Sequence, residues 1–151
     1  MPLSKTKIAA EKRKLLKLCT DVLEERKAED LLVLDVREQS SITDFFIIAT
    51  ATSDPHMRAM RNELDLALKA GKIHLVGVDA EAGSGWAVID AFDVMVHLFT
   101  SENRSHYRLE SLWKDAPVVG LEDVTVSVKK RAISAGKKNG VKKSPGRKKK
   151  E

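Results

Sequence analysis

The chain has 151 residues, of which 42% are hydrophobic, enough to build one domain around a real core. Its single cysteine, Cys19, excludes an internal disulfide framework, and no apolar run reaches the ~18 residues of a membrane span. The N-terminus lacks the apolar core of a signal peptide. Together these features predict a soluble, cytoplasmic protein that does not act on membranes.

The formal net charge of +5 is unevenly distributed along the chain. Residues 129–151 hold eleven Lys or Arg and one Glu, so residues 1–128 hold 16 basic and 21 acidic side chains. An acidic body repels nucleic acid and attracts basic proteins or cations. We therefore predict one acidic domain over residues 1–128 and a Lys-rich, disordered tail over residues 129–151.

The first half of the chain predicts a helix, two strands and a second helix. Apolar residues at helical spacing indicate an amphipathic helix from about residue 8 to 27. Two short apolar runs, at 31–36 and from 45 onward, indicate a hairpin of buried strands. The next helix has Ser53 or Asp54 as its N-cap, Pro55 in its first turn and Gly71 as its stop.

The second half predicts three strands and a last helix. One strand is expected over 73–78, and two more are joined near residues 90–93. The final helix should carry Leu109, Leu112, Trp113 and Ala116 on one face, and residues 118–130 could add an edge strand. The fold class is thus α/β (mixed α+β), a single domain with a mixed five-stranded sheet and flanking helices. Exposed sheet edges would allow a homodimer.

Polar residues surround the strand in SSITDFFIIATATSDPH, residues 40–56. Serine, aspartate and histidine together are typical of nucleophilic catalysis, which needs a hydroxyl, a base and an orienting carboxylate. The same residues also match a helix start, with Ser53 or Asp54 as cap and His56 in the exposed first turn. We favour the second interpretation, and we assign Ser40 and Ser41 to a turn.

The stretch GSGWAVIDAFD suggests an enzyme as an alternative. A magnesium-dependent nucleotidyltransferase would use a Gly-Ser loop against phosphate and carboxylates such as Asp90 and Asp93, with a third from Asp35 or Asp44, to hold the metal. Residues three apart do not share a face of a strand, so Asp90 and Asp93 are better explained as the flanks of a tight turn. The four histidines have no zinc-site spacing, and we expect no metal and no cofactor.

Two further features leave alternatives open. Trp113 fits core packing, whereas Trp86, close to Asp79, Glu81 and Asp90, is compatible with either a protein-binding hot spot or a half-buried strand residue. The lysine-rich tail has the composition of a segment that binds RNA phosphates without reading sequence, and it could equally be a solubilising extension. Binding of RNA through the tail alone is therefore a third class of function.

Three strings closely resemble the Iojap family, the bacterial and organellar ribosomal silencing factor RsfS. They are DVREQSSITDFFIIATATSDPH (35–56), GWAVIDAFDVMVHLF (85–99) and YRLESLWKDA (107–116), in order and with sensible spacing. The resemblance implies a small α/β domain similar in topology to nucleotidyltransferases, without an established transferase activity. It also implies binding to the L-fourteen protein of the large ribosomal subunit, which blocks subunit joining and represses translation when nutrients run short.

The resemblance also implies where the partner would bind. The contact surface of the family, carried onto this chain, involves Trp86, Asp90, Phe92, Asp93 and Tyr107. The turn departs from the usual family pattern, because Phe92 stands where the family commonly has glycine. Glycine adopts a positive φ easily and phenylalanine does not, so a reshaped loop is expected there.

Overall fold

The computed structural model describes residues 8–81 and 83–120. Over these residues the elements are α1 (Ala10–Glu25), β1 (Glu29–Asp35), β2 (Phe45–Ala51), α2 (Asp54–Ala70), β3 (Gly77–Ala80), β4 (Trp86–Asp90), β5 (Val94–Thr100), α3 (Ser101–Tyr107) and α4 (Leu109–Leu112). The predicted tail lies outside the described residues. None of the helices in the described ranges combines the length and apolarity that a membrane crossing requires.

The strands form one mixed five-stranded sheet in the order β1-β2-β5-β4-β3. Strands β2 and β5 are parallel, and the other neighbours are antiparallel. The inner strand β2 is buried over its whole length, which explains its continuous apolar sequence. This sheet confirms the predicted fold class.

Helices α1 and α2 cover one face of the sheet. Their apolar stripes, with Leu16 and Leu23 from α1 and Met60 and Leu64 from α2, are fully buried. The Ser53 hydroxyl accepts a hydrogen bond from the His56 amide at 3.1 Å, which caps α2 as predicted. Such a cap stabilises the helix by about 1 kcal/mol.

His56 has a second role that the sequence did not reveal. Its Nδ1 accepts a hydrogen bond from the Thr52 amide at 2.9 Å, so the ring carries its proton on Nε2. Nε2 lies 2.6 Å from the carbonyl oxygen of Arg26, beyond the end of α1. His56 lies in the exposed first turn as predicted, and its ring in addition joins the end of α1 to the start of α2.

The opposite face of the sheet carries a second core under α3, α4 and the segment that follows them. Phe46 and Phe99 are buried there, and Trp113 packs edge-on against Phe46 with 5.0 Å between ring centroids. Trp113 thus has the core role that was predicted. Residues 117–119 run beside β1, with a bridge between Leu34 and Val118. The rest of the predicted edge strand lies outside the described residues.

Two predicted elements differ in the structure. The strand expected over 73–78 is found at Gly77–Ala80, because its residue-by-residue pairing with β4 begins only at Gly77. The final helix is broken at Arg108, which has a left-handed backbone with φ 50°. Leu109, Trp113 and Ala116 pack in the second core as predicted, whereas Leu112 is 76% exposed, so the predicted common face is wrong at Leu112.

Candidate functional site on the open face of the sheet

A short glycine-containing loop places Trp86 at the start of β4. Gly83 and Gly85 both have positive φ, 79° and 76°, which allows the tight approach to the strand. The Ser84 hydroxyl donates to the carbonyl of Trp86 at 3.1 Å, and the Asn103 side-chain amide donates to the carbonyl of Ser84 at 2.8 Å. The loop is therefore fastened to the first turn of α3.

Trp86 lies in a group of aromatic rings and is partly buried. Its ring centroid is 4.8 Å from that of Tyr107 and 5.0 Å from that of Phe99. The indole Nε1 donates to Nδ1 of His97 at 3.2 Å. Tyr107 at the end of α3 is 47% exposed, so this aromatic group reaches the protein surface. The indole is neither sealed in the interior nor fully exposed.

An open cavity of about 250 Å³ lies beside the indole. It is lined by Asp79, Glu81, Ser84, Trp86, Val88 and Tyr107. We call it the docking cavity. Two carboxylates and two aromatic rings make up most of this lining, and none of the described residues that line it is basic. Acidic groups beside aromatic faces favour a cationic side chain, through Coulomb attraction and cation–π contact.

The remaining predicted site residues form the turn between β4 and β5. The Asp90 carboxylate accepts a hydrogen bond from the Phe92 amide at 2.9 Å, and Phe92 has φ 71°. The turn thus keeps a positive φ although its residue is not glycine. The Phe92 ring is 67% exposed, whereas Asp93 is partly buried and its carbonyl accepts from the amides of Asp44 and Phe45.

The structure therefore separates the predicted site into two groups. Trp86 and Tyr107 are in contact, but Asp90 lies at the other end of β4, four residues from Trp86 or roughly 13 Å along the strand. Phe92 and Asp93 lie beyond Asp90. The two groups lie at opposite ends of the inner strand β4, with Val88 between Trp86 and Asp90 on the same face.

The carboxylates considered for a metal site have other contacts. Asp35 receives two hydrogen bonds from the Arg37 guanidinium, at 2.6 and 2.8 Å. Asp44 pairs with Lys12, and this hydrogen bond is the main reason why the pKa of Lys12 is raised. Within residues 8–81 and 83–120, no three His, Cys, Asp or Glu side chains are placed to hold one metal ion.

His97 was considered only as a zinc ligand in the sequence, and its contact with Trp86 was missed. The alternation of side chains along the two strands indicates this contact, because His97 and Phe99 of β5 share a face with Trp86 and Val88 of β4. Assigning that face requires the strand register, which pairs Val88 with His97. Sequence alone does not supply this register.

Comparison with known proteins decides the family. A family model described as ribosomal silencing factor during starvation matches residues 9–147. This chain belongs to the RsfS family. The RsfS protein of Halalkalibacterium halodurans is 35% identical over 112 residues, which cover 74% of this chain and 96% of the relative. The family resemblance seen in the three sequence strings is thereby confirmed.

Relatives of this RsfS chain also occur in organelles. The chloroplastic Iojap protein of Arabidopsis thaliana is 38% identical over 109 residues, covering 71% of this chain and 43% of that protein. A mouse relative named mitochondrial assembly of ribosomal large subunit protein 1 is 29% identical, covering 64% of this chain and 43% of its own length. The name of the mouse relative connects that protein with assembly of the large ribosomal subunit.

Solved structures of two bacterial proteins share the fold. A crystal structure from Bacillus halodurans has a TM-score of 0.65 at 31% identity and covers 72% of this chain and 99% of its own. One from Chromobacterium violaceum has a TM-score of 0.65 at 30% identity, covering 68% and 85%.

Proposed function

We propose that this RsfS chain silences ribosomes by binding a basic protein of the large subunit, the L-fourteen protein, and thereby blocking the small subunit. The observation that carries the proposal is the docking cavity, where Asp79 and Glu81 stand beside the rings of Trp86 and Tyr107 at the surface. The family assignment supports a ribosomal target. The cavity supplies the chemistry that would recognise it.

A lysine or arginine side chain is the ligand that fits this cavity. Its cationic group would lie over an aromatic face, an interaction of about 0.5–2 kcal/mol depending on desolvation. The carboxylates of Asp79 and Glu81 would add charge complementarity, which raises the association rate and selects basic partners. Neither contact needs a bond to be made or broken.

The turn of β4 and β5 would form a second contact. Phe92 projects an exposed ring, and Asp90 and Asp93 flank it. An exposed aromatic residue bordered by acids is typical of an interface anchor for a basic surface. Two contacts separated by the length of β4 would fix the orientation of the partner on the sheet.

Steric exclusion is sufficient for silencing in this scheme. A standard interface buries about 800 Å² on each partner, which a domain of this size can supply. Once bound on the surface where the subunits meet, the body of the protein occupies space that the small subunit needs. We accordingly propose a non-enzymatic factor that acts where ribosomes are, in the cytoplasm. Homodimerisation through an exposed sheet edge stays a prediction.

The test is subunit joining measured by sedimentation of purified large and small subunits. Asp79→Asn with Glu81→Gln removes two charges at the cavity and should weaken binding to the large subunit about tenfold, equal to about 1.4 kcal/mol. The control is Glu24→Gln with Glu25→Gln, the same charge change on exposed residues of α1. Equal weakening in both proteins would contradict a specific cavity.

A second comparison separates this function from the enzymatic alternative. Trp86→Ala should abolish the block of subunit joining, with no nucleotide turnover by either this variant or the wild type. Metal-dependent nucleotide turnover that is lost in Asp93→Ala would instead favour a nucleotidyltransferase. Trp113→Phe, which changes the indole that packs on Phe46 away from the cavity, serves as the matched tryptophan control.

A further inference from the structure

His97 lies on the strand next to Trp86, on the same face of the sheet. It is 6% exposed, and its ring centroid is 6.0 Å from that of the indole. The indole Nε1 donates a hydrogen bond to Nδ1 of His97 at 3.2 Å. His97 does not line the docking cavity, and the hydrogen bond to Trp86 links its side chain to a residue that does.

The direction of this hydrogen bond fixes the state of the histidine. An indole N–H can only donate, so Nδ1 of His97 must be an unprotonated acceptor and the neutral ring carries its proton on Nε2. Burial lowers the pKa of His97 to about 4, which keeps the ring neutral near pH 7. Nδ1 of His97 can therefore accept the indole hydrogen bond near pH 7.

The other nitrogen of His97 makes the arrangement unusual. Nε2 is buried and has no hydrogen-bond partner within the described part of the chain. A buried donor without an acceptor is unfavourable, and an apolar side chain at this position would avoid it. The ring lies edge-on to Phe46, with 5.0 Å between centroids, so its surroundings are largely aromatic. What histidine supplies here and an apolar residue does not is the acceptor at Nδ1.

We propose that His97 is a positioning residue for partner binding, because its Nδ1 holds the Trp86 indole in the orientation that the docking cavity requires. The inference rests on the proposed function, in which Trp86 contacts the partner. Without this hydrogen bond the indole can rotate about its side-chain torsions or turn its N–H toward solvent. A fixed ring loses less conformational entropy on binding than a mobile one.

The first test uses the full wild-type chain, so that folding of a variant is not at issue. Long-range ¹⁵N–¹H NMR of labelled histidine reads which ring nitrogen is protonated. We expect His97 to be neutral near pH 7, with its proton on Nε2. A proton on Nδ1 would overturn the proposal, because that nitrogen could not then accept from the indole.

The second test compares two substitutions. His97→Phe keeps a ring of similar size and removes the acceptor, whereas His97→Asn places an oxygen near the position of Nδ1. In His97→Phe the Trp86 indole N–H resonance should shift, and the indole proton should exchange faster with solvent. The affinity for the large subunit should fall roughly fivefold. His97→Asn should restore both toward wild type. The indole resonance of Trp113 reports in the same spectra whether the fold is intact.

The outcomes distinguish this inference from the proposed function. An unchanged Trp86 indole resonance in His97→Phe overturns the positioning role. The role is also overturned if that resonance changes but His97→Phe binds the large subunit with wild-type affinity, while Trp86→Ala binds it weakly. If Trp86→Ala itself binds as well as wild type, the proposed function fails, and the positioning role for partner binding fails with it. The tautomer and resonance data would then still report the hydrogen bond by itself.

Discussion

At the scale of single residues, Phe92 has an unfavourable backbone conformation at the tip of an exposed turn. A φ of 71° brings the Cβ of an L-residue too close to the following carbonyl, at a cost of about 1–2 kcal/mol. The Asp90 carboxylate offsets part of this cost, because it accepts a hydrogen bond from the Phe92 amide at 2.9 Å. The turn therefore keeps an exposed aromatic ring at the expense of stability.

Phe92→Gly should raise the free energy of unfolding by about 1 kcal/mol, because glycine adopts this φ without strain. Phe92→Ala is the matched control, since it also removes the ring but retains the strained Cβ. Both variants should bind the large subunit equally weakly, and only the glycine variant should gain stability in denaturant unfolding. Equal stability of the two variants would show that the turn is not strained.

His97 should make folding sensitive to acid. Burial lowers its pKa from 6.5 to about 4, so between these values the unfolded chain binds the proton more readily than the folded chain. The free energy of unfolding should be unaffected by this group above pH 6.5 and should fall as the pH drops toward 4, by up to about 3 kcal/mol. Denaturant unfolding at several pH values measures the effect.

Carboxylates titrate in part of the same range, so the reference for this prediction is His97→Phe. The variant keeps every carboxylate and lacks only the histidine. Its free energy of unfolding should therefore fall less steeply between pH 6.5 and 4 than that of the wild type. Identical pH slopes in the two proteins would contradict a depressed pKa in the folded state.

At the scale of elements, the connection from the β3–β4 loop to α3 decides how Trp86 is presented. A Cβ at position 85 would lie 2.4 Å from the Asn103 Nδ2 atom and 3.0 Å from the Thr100 Oγ1 atom. A Cβ at position 83 would meet nothing within 4 Å. Both glycines have nearly the same positive φ, so they differ in packing and not in backbone strain.

Gly85→Ala should destabilise the fold by about 2–3 kcal/mol, and Gly83→Ala by only about 1 kcal/mol. The excess at position 85 arises because the Asn103 amide must move and give up its hydrogen bond to the carbonyl of Ser84. Thermal unfolding of the two variants measures the difference. Equal losses would show that the loop and α3 are not tightly packed.

At the scale of the whole molecule, charge is divided between an acidic body and a basic tail. Residues 1–128 have five more acidic than basic side chains, and residues 129–151 have ten more basic than acidic ones. We propose that the tail holds ribosomal RNA near the site where the body docks on a protein. Tethering raises the effective concentration of the body without adding a contact to its interface.

Deletion of residues 129–151 should then weaken ribosome binding mainly at low salt and reduce the slope of log affinity against log salt concentration. The body alone should retain measurable affinity, since its contacts are with protein. Replacing the basic residues of the tail with serine is the matched control for length. An unchanged affinity after deletion would exclude the RNA contact, and complete loss would favour a protein that binds RNA through its tail alone.

Periodicity and capping chemistry determined much of this protein from sequence alone. The stripe of α2, its Ser53 cap and the wholly apolar β2 depend on neighbours close in the chain, so they were predictable. The family strings and the acidic body also needed no structure. The sequence IHLVGV predicts a strand over 73–78 because it is a short apolar run, and only the register with β4 shows that the strand begins at Gly77.

The tertiary structure alone decided how the site is assembled. It brought Trp86 together with Tyr107 and with His97, which come from three different elements, and it placed Phe92 at the far end of β4. The break at Arg108 that positions α4 was likewise invisible in the helical pattern of residues 101–116. These features depend on strand register and on packing between distant segments, and local sequence preferences carry almost no information about either.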